Sequence, residues 1–271
     1  MTGRQRGFAL LIVLWSMALI ALIGTEVTAA GHGETRLATN LRASAVAEAA
    51  ADGAVYEAIY HLLDGSSAHW PPDGAVRRVQ LPQAAVDVSM ADEGRKLTLN
   101  NSSLPLLRGL IHAIGADPAT VLTLADEIAD WRSPSNSPLP HGAKAPQYRA
   151  AGRDYGPPNQ PFRSVDELAL VLHMTPEILA RLRPYVSPYV ESTPKLEGAD
   201  PVIAQTLTDA AAGGVPPLSF DEPVTVTITA VAVSAGGARF TRRAVVRLNG
   251  DLAANPTAPQ YIVLDWDQGS S

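Results

Sequence analysis

The residues of this sequence best suited to chemistry are four carboxylates, Asp126, Glu127, Asp130 and Asp154, and six histidines, at positions 32, 61, 69, 112, 141 and 173. Carboxylates grouped in one stretch suit a hard cation, which takes several oxygen ligands, usually two or more of them carboxylates. Here they are neighbours in sequence only. The histidines show no HExxH or HxH spacing, so surface or capping roles fit them better than metal ligation. The sequence has no cysteine. That excludes disulfides, cysteine–zinc sites and a thiol nucleophile, and it says nothing about compartment. There is no GxSxG elbow, no phosphate-binding loop and no GxGxxG turn.

The elements that must position these residues form a helical block. Ser102 or Ser103 can cap a helix running to Ile114. Asp117-Pro118 is an N-cap followed by proline at the first helical position. Val121, Leu124, Ala125, Ile128 and Trp131 then line one face. Ser133 to Pro161, rich in Pro, Ser, Asn and Gly, reads as one long loop. Ser164-Val165-Asp166-Glu167 is a capping box, and Thr175-Pro176-Glu177 opens a further helix.

Strands flank the block. Val86, Val88 and Met90 alternate with Asp87 and Ser89, and Asp92-Glu93-Gly94 reads as a turn. Leu97 and Leu99 then alternate with Lys96, Thr98 and Asn100, which predicts a β-hairpin. From Pro223 the period is again two, through Val224, Val226 and Ile228, then Phe240, Ala244, Val246 and Leu248 beyond a Gly236-Gly237 turn. Tyr261 to Trp266 is a last strand. The helical block therefore reads as inserted into a sheet domain.

The amino-terminal stretch orders the rest. Phe8 to Gly24 carries no charge and only Ser16 as a weakly polar side chain. As a helix it would run roughly 25 Å, a little short of a bilayer core of about 30 Å. Arg4 and Arg6 precede it, while Glu26 and Glu34 follow, which places the body outside the inner membrane. A secretory signal peptide cut near Thr28-Ala29-Ala30 and a plain anchor are the alternatives. Thr25 to Leu63 continues as one helix. Leu37, Leu41, Ala45, Ala49, Val55, Ile59 and Leu62 make its apolar face, and Glu48 is the one polar interruption. Gly31 and Gly33 are where a bend is expected, at ~1 kcal/mol each relative to alanine.

Composition fits that plan. The 271 residues are 46% hydrophobic with mean hydropathy +0.04, ordinary for a globular body with one anchor. The net charge is −6, and loss of a leader holding Arg4 and Arg6 takes 21 basic residues to 19 against 27 acidic, or −8. That sign offers no footprint for nucleic acid. Paired helices around Gly115 suggest a hairpin facing phosphate, but Gly115-Ala116-Asp117 puts an acid there, and His173-Met174-Thr175 has no glycine.

Arg6-Gly7-Phe8 resembles the leader junction of type IV pilins and pseudopilins, where a prepilin peptidase cuts after Gly and the new amino-terminal Phe is methylated. The resemblance implies cleavage after Gly7, methylation of Phe8 and retention of the apolar segment. Most members carry Glu five residues into the mature chain. Here that position is Ile12, a departure that resembles the general secretion pathway protein K family of type II secretion, as does QRGFALLIVLWSMALIALI. A second set of residues agrees: Asp130-Trp131, Gly142-Ala143, Tyr148, Tyr155, Asn159, Pro161-Phe162, Ser164-Val165 and Glu167-Leu168, with the terminal YIVLDW.

The resemblance implies an α+β, type IV pilin-like fold, a long amino-terminal helix packed on a small antiparallel sheet, with an inserted all-helical domain. Its segments would be a leader (1–7), a transmembrane and assembly helix (8–24), pilin-like helix and first strands (25–101), the insert (102–212) and carboxy-terminal strands (213–271). It implies a non-enzymatic minor pseudopilin at the pseudopilus tip, single-pass in the inner membrane with its body in the periplasm. Expected partners are the minor pseudopilins I and J, the major pseudopilin and the prepilin peptidase. The competing reading is a membrane-anchored periplasmic enzyme or binding protein. Family members can bind calcium in the insert through acids after Asp-Trp and after Gly-Ala. Here Ser133 and Ser135 follow the first pair and Lys144 follows the second. Asp130 and Asp154 are the calcium candidates that remain, a poor cage, and no cofactor is expected.

Overall fold

The computed structural model describes residues 4–216, 223–249 and 259–269, with side chains along the first helix described at 10–23 and from 36 onwards. Helix α1 spans Arg4–Leu63 and its 60 residues carry it about 90 Å. Its backbone stays helical through Gly31 and Gly33, where a bend was expected. Strands β1 (Arg77–Leu81) and β2 (Ala84–Asp92) follow, then the two-residue β3 (Leu97–Thr98). The helical block comprises α2 (Leu104–Ala113), α3 (Pro118–Arg132), α4 (Ala145–Ala150) and α5 (Pro176–Leu182). After β4 (Val186–Ser187) come α6 (Pro201–Ala212), β5 (Thr225–Ser234), β6 (Arg239–Leu248) and β7 (Tyr261–Gln268).

The main sheet is antiparallel, in the order β1-β2-β5-β6-β7. Period-two patterning puts Val86, Val88 and Met90 on the buried face of β2. Cross-strand register lines up Met90, Ile228, Ala244 and Trp266 in one row. The carboxy-terminal half of α1 covers this face. Its buried residues are Ala47, Ala50, Ala51, Ala54, Val55, Ala58, Ile59 and Leu62. Alanines on the helix meet Ala230, Ala232 and Ala244 on the sheet, so helix and sheet backbones can approach closely. Truncating a fully buried residue such as Ile228 would cost about 2–5 kcal/mol.

Two expectations need correction. Leu37 and Leu41 are 60% and 63% exposed, and Ala45 and Ala49 are exposed too. The turn after β5 reaches α1 at Ala43 and Val46 packs on the sheet core, but full burial begins only at Ala47, so Leu37 and Leu41 stay exposed. Glu48 is not an interruption of that face but an anchor. The Arg242 guanidinium of β6, nearly buried, reaches Asp52 (Nε to Oδ1, 2.5 Å) and Glu48 (Nη2 to Oε1, 3.1 Å) and lies over the Trp266 ring.

The hairpin predicted from 86–90 with 97–100 is not formed either. The true hairpin is β1 with β2. Asp92 accepts from Gly94 N (2.9 Å) and caps a 3-10 turn, Glu93–Arg95, that takes the chain out of the sheet. Leu97 and Leu99 then enter the core of the helical block. Strand β3 pairs in parallel with β4, Leu97 opposite Val186 and Thr98 opposite Ser187. The β3–β4 pair thus forms a narrow neck beside the sheet, and α6 packs back on the block's core before the chain returns to the sheet at β5. The neck is tied down by buried Glu93, which accepts from Lys96 Nζ and Thr227 Oγ1, both at 2.6 Å. Tyr189 just beyond it donates to Asp265 of β7 (2.7 Å) and accepts from Arg247 at its carbonyl (2.7 Å).

Candidate functional site

Helix α3 is the spine of the block. Asp117 accepts from the amides of Ala119 and Thr120, and Pro118 occupies the first turn, as its sequence foretells. Val121, Leu124, Ala125, Ile128 and Trp131 are all buried. The other face of α3 carries three buried acids, and each clamps a different part of the chain. Asp126 pairs with Arg108 of α2 (2.8 Å) and accepts from His141 N (3.2 Å). Glu127 accepts from His173 N (3.1 Å) and meets the His173 ring at 2.5 Å. Asp130 Oδ2 accepts from Leu139 N (3.0 Å). Burial pushes the Glu127 and Asp130 carboxyls up; hydrogen bonds from His173 oppose it at the first and the Leu139 amide and Lys144 at the second.

The segment 133–161 is not structureless. It holds α4, and Lys144 at its start is only 2% exposed. The Lys144 Nζ donates to Asp130 O (2.5 Å), Ser133 O (2.9 Å) and Asn159 Oδ1 (2.8 Å). Burial holds its pKa below the usual lysine value, with Asp130 opposing the shift. Arg132 secures the end of α3 by donating to Leu99 O and Ser102 O, and burial brings its pKa down to about 10.

Aromatic rings close the node. Trp131 stacks on Phe162 (centroids 6.0 Å, planes 15° apart) and packs beside Tyr148, which meets Tyr155 edge-on at 5.7 Å. The Trp131 indole donates to Glu167 Oε2 (3.4 Å), and Glu167 Oε1 accepts from Arg163 N and Ser164 N. This is the expected capping box, although it opens a 3-10 turn, Val165–Leu170, rather than an α-helix. Asn100 straps the node to the neck. Its amide donates to Phe162 O (3.0 Å) and Pro188 O (3.1 Å), and its oxygen accepts from Phe162 N (2.8 Å).

Residues 84–191, from β2 to just past β4, match the family described as Type II secretion system (T2SS), protein K. Over this stretch the chain is similar to that family. Type II secretion system protein K of Klebsiella pneumoniae is 28% identical over 71% of this chain and 65% of that protein. The Dickeya chrysanthemi protein of the same name is 25% identical over 69% and 66%. The chain therefore spans a little under two thirds of the length of these relatives. Among solved structures, a chain of the GspK-GspI-GspJ complex from enterotoxigenic Escherichia coli shares the fold, with a TM-score of 0.62 over 89% of this chain and 99% of that one at 16% identity.

The residues that carry the family resemblance gather at the node. Asp130-Trp131, Gly142-Ala143, Tyr148, Tyr155, Asn159, Phe162 and Glu167 are joined in one continuous series of contacts, with Lys144 linking Asn159 to Asp130. The calcium candidates separate. Asp130 is buried, with one carboxylate oxygen on the Leu139 amide, while Asp154 is exposed and supplies none of the oxygens around Lys144. A divalent ion does not fit here, because calcium wants six to eight oxygens including carboxylates. Two main-chain carbonyls and an amide oxygen, already turned to an ammonium, are no such set. Among the described residues no group of three or more His, Asp or Glu side chains is arranged to hold a metal. The roles of Lys144, Asn100 and Arg132 were not read from the sequence. Their partners are mostly main-chain groups distant along the chain, which no local pattern marks.

The leader residues are less fully placed. The side chains of Gly7 and Phe8 lie outside those described, and Ile12 sits on α1, 50% exposed. From Leu10 to Ile23 the large apolar side chains of α1 are between 50% and 72% exposed. Among the described residues no helix is long and apolar enough to cross a membrane.

Proposed function

We propose that this chain is a structural minor pseudopilin, made with a leader that is cut after Gly7 and held in the inner membrane through residues 8–24, with its body in the periplasm. The observation that carries this reading is the exposed apolar surface of α1 on a body with the fold of a GspK-GspI-GspJ chain. A lone helix with that much apolar surface in water needs cover, from lipid or from other helices. The assembly partners that follow are the minor pseudopilins I and J at the pseudopilus tip, and the role is support of protein export. Ile12 suits a tip position. A carboxylate at that depth serves to neutralise a neighbour's buried amine, and a first subunit has no neighbour on that side.

The rest of the chain divides in the same terms. Residues 25–101 and 213–271 supply the helix and sheet of a pilin-like body, and 102–212 is the insert. The buried acids of α3 are each bonded to neighbouring main chain or cations. They are used in holding loops, which supports a structural rather than catalytic role.

Co-expression with a prepilin peptidase, followed by mass spectrometry of the membrane-extracted protein, tests the reading. The expected product begins at a methylated Phe8, and Gly7→Ala slows its formation. An amino terminus near Ala30 would mean an ordinary signal peptide. Cross-linking from a cysteine placed at Leu14 addresses the tip. Discrete adducts with one or two minor pseudopilins are expected, and a ladder of self-adducts would remove the tip assignment.

A further inference from the structure

We infer that Lys144 is a tethered cation filling an oxygen cradle at the end of α3, so that the segment from Ser133 to Asn159 is closed by an ammonium from within the chain instead of by a dissolved metal ion. Three features of the geometry carry this. An ammonium has three N–H donors, and the Lys144 Nζ finds three oxygens, Asp130 O, Ser133 O and Asn159 Oδ1, at hydrogen-bond distance. Two of those oxygens are main-chain carbonyls from the last turn and C-cap of α3, where the helix presents its negative end; Asp130 O also accepts from Ser133 N (3.2 Å) and gives the ammonium its second acceptor site. The third belongs to Asn159, the one non-glycine residue with positive φ (56°) among those described, so the backbone is held in an uncommon conformation that supplies this amide.

The surroundings are built for a fixed lysine. Lys144 is 2% exposed, and its own backbone is gripped on both sides: its N–H donates to Gln147 Oε1 (3.1 Å) and its carbonyl accepts from Gln147 N (3.0 Å). Gly142, two residues before it, lies against the Asp130 carboxylate, which itself accepts from Leu139 N. Asp130 therefore holds the incoming strand of the loop with its side chain while its carbonyl receives the ammonium. A buried charge is tolerated only where it is fully hydrogen-bonded, and this one is. The three oxygens suit a monovalent ammonium group and not a divalent ion, which needs carboxylates.

The test uses the purified full chain and compares thermal melts in millimolar calcium and in chelator. The parent is expected to melt at the same temperature in both. Lys144→Met, which keeps the stem and removes the charge, is expected to melt several degrees lower, with calcium giving no recovery. Lys144→Gly opens the cradle, and its melting temperature is expected to rise in methylammonium chloride and not in equal sodium chloride. A parent melt that climbs with calcium would overturn the inference, as would a Lys144→Met melt equal to the parent's. Should both variants fail to fold, nitrogen-15 spectra of the parent decide. A Lys144 ammonium resonance protected from water exchange supports the tethered cation, and its absence at low temperature refutes it.

Discussion

Gly142 lies so close to Asp130 that a Cβ on it would sit 1.9 Å from the carboxylate Oδ2. No real contact is that short. The carboxylate cannot step aside freely either, because it holds the Leu139 amide. Glycine is required here for close approach and not for unusual torsion angles. Gly142→Ala is therefore expected to destabilise the protein by about 1–3 kcal/mol, the usual scale of forced overpacking. Urea unfolding followed by tryptophan fluorescence would measure it. A variant with an unchanged midpoint would mean that the loop yields at little cost.

Asn100 joins three strangers, the neck, Phe162 and Pro188, through one side-chain amide. Asn100→Ala would leave a donor and two carbonyls without their partner. The expected loss is about 1–3 kcal/mol, the scale of unsatisfied polar groups. Native-state hydrogen exchange should show the damage concentrated near Phe162 and Pro188 rather than spread over the main sheet. Uniform weakening of the sheet would contradict that picture.

The Glu127 carboxyl is raised by burial, against the pull of His173. Folding then takes up a proton between the unfolded and folded values. This contribution is complete below the unfolded value, about pH 4.3, and is lost as pH rises through the folded one. Exposed Asp64, Asp73 and Asp117, held low by hydrogen bonds, act in the opposite sense. The informative quantity is therefore the difference between the parent and Glu127→Gln. The parent should lose stability relative to the variant as pH rises above the unfolded value, about 4.3. A difference that does not vary with pH would show that Glu127 does not titrate in this window.

What the sequence disclosed and what it hid follow from the range of the forces involved. The Asp117-Pro118 start, the α3 face, the Ser164 box and the alternating strands of β5 and β6 are local signals, and each is present. The β3–β4 pairing is not local, since Leu97 and Val186 meet only because the whole block folds between them. Leu97 and Leu99 alternate like a strand facing a sheet, yet they serve the other core. The α1 face was read correctly at Val55, Ile59 and Leu62, which are buried, and wrongly at Leu37, Leu41 and Ala45, where helical periodicity runs on past the end of the sheet, and at Ala49, which is exposed. Lys144 reads in sequence as a charge that spoils a cation site. Only the positions of three oxygens reveal it as the occupant.

The neck has a consequence for the order of folding. Strands β2 and β5 are adjacent in the sheet, yet Glu93 and Thr227, which bond across their ends, are 134 positions apart. Closing a flexible loop of that length is slow, and each halving of its effective length recovers about 0.6 kcal/mol. A helical block that has already joined Leu97 to Val186 takes most of the intervening chain out of the search and leaves the stretch through α6 to bring β5 beside β2. Loop closure of this kind predicts that the sheet completes itself after the block. Until then β2 and β5 stand with open edges, the state in which a nascent chain pairs most readily with the wrong partner.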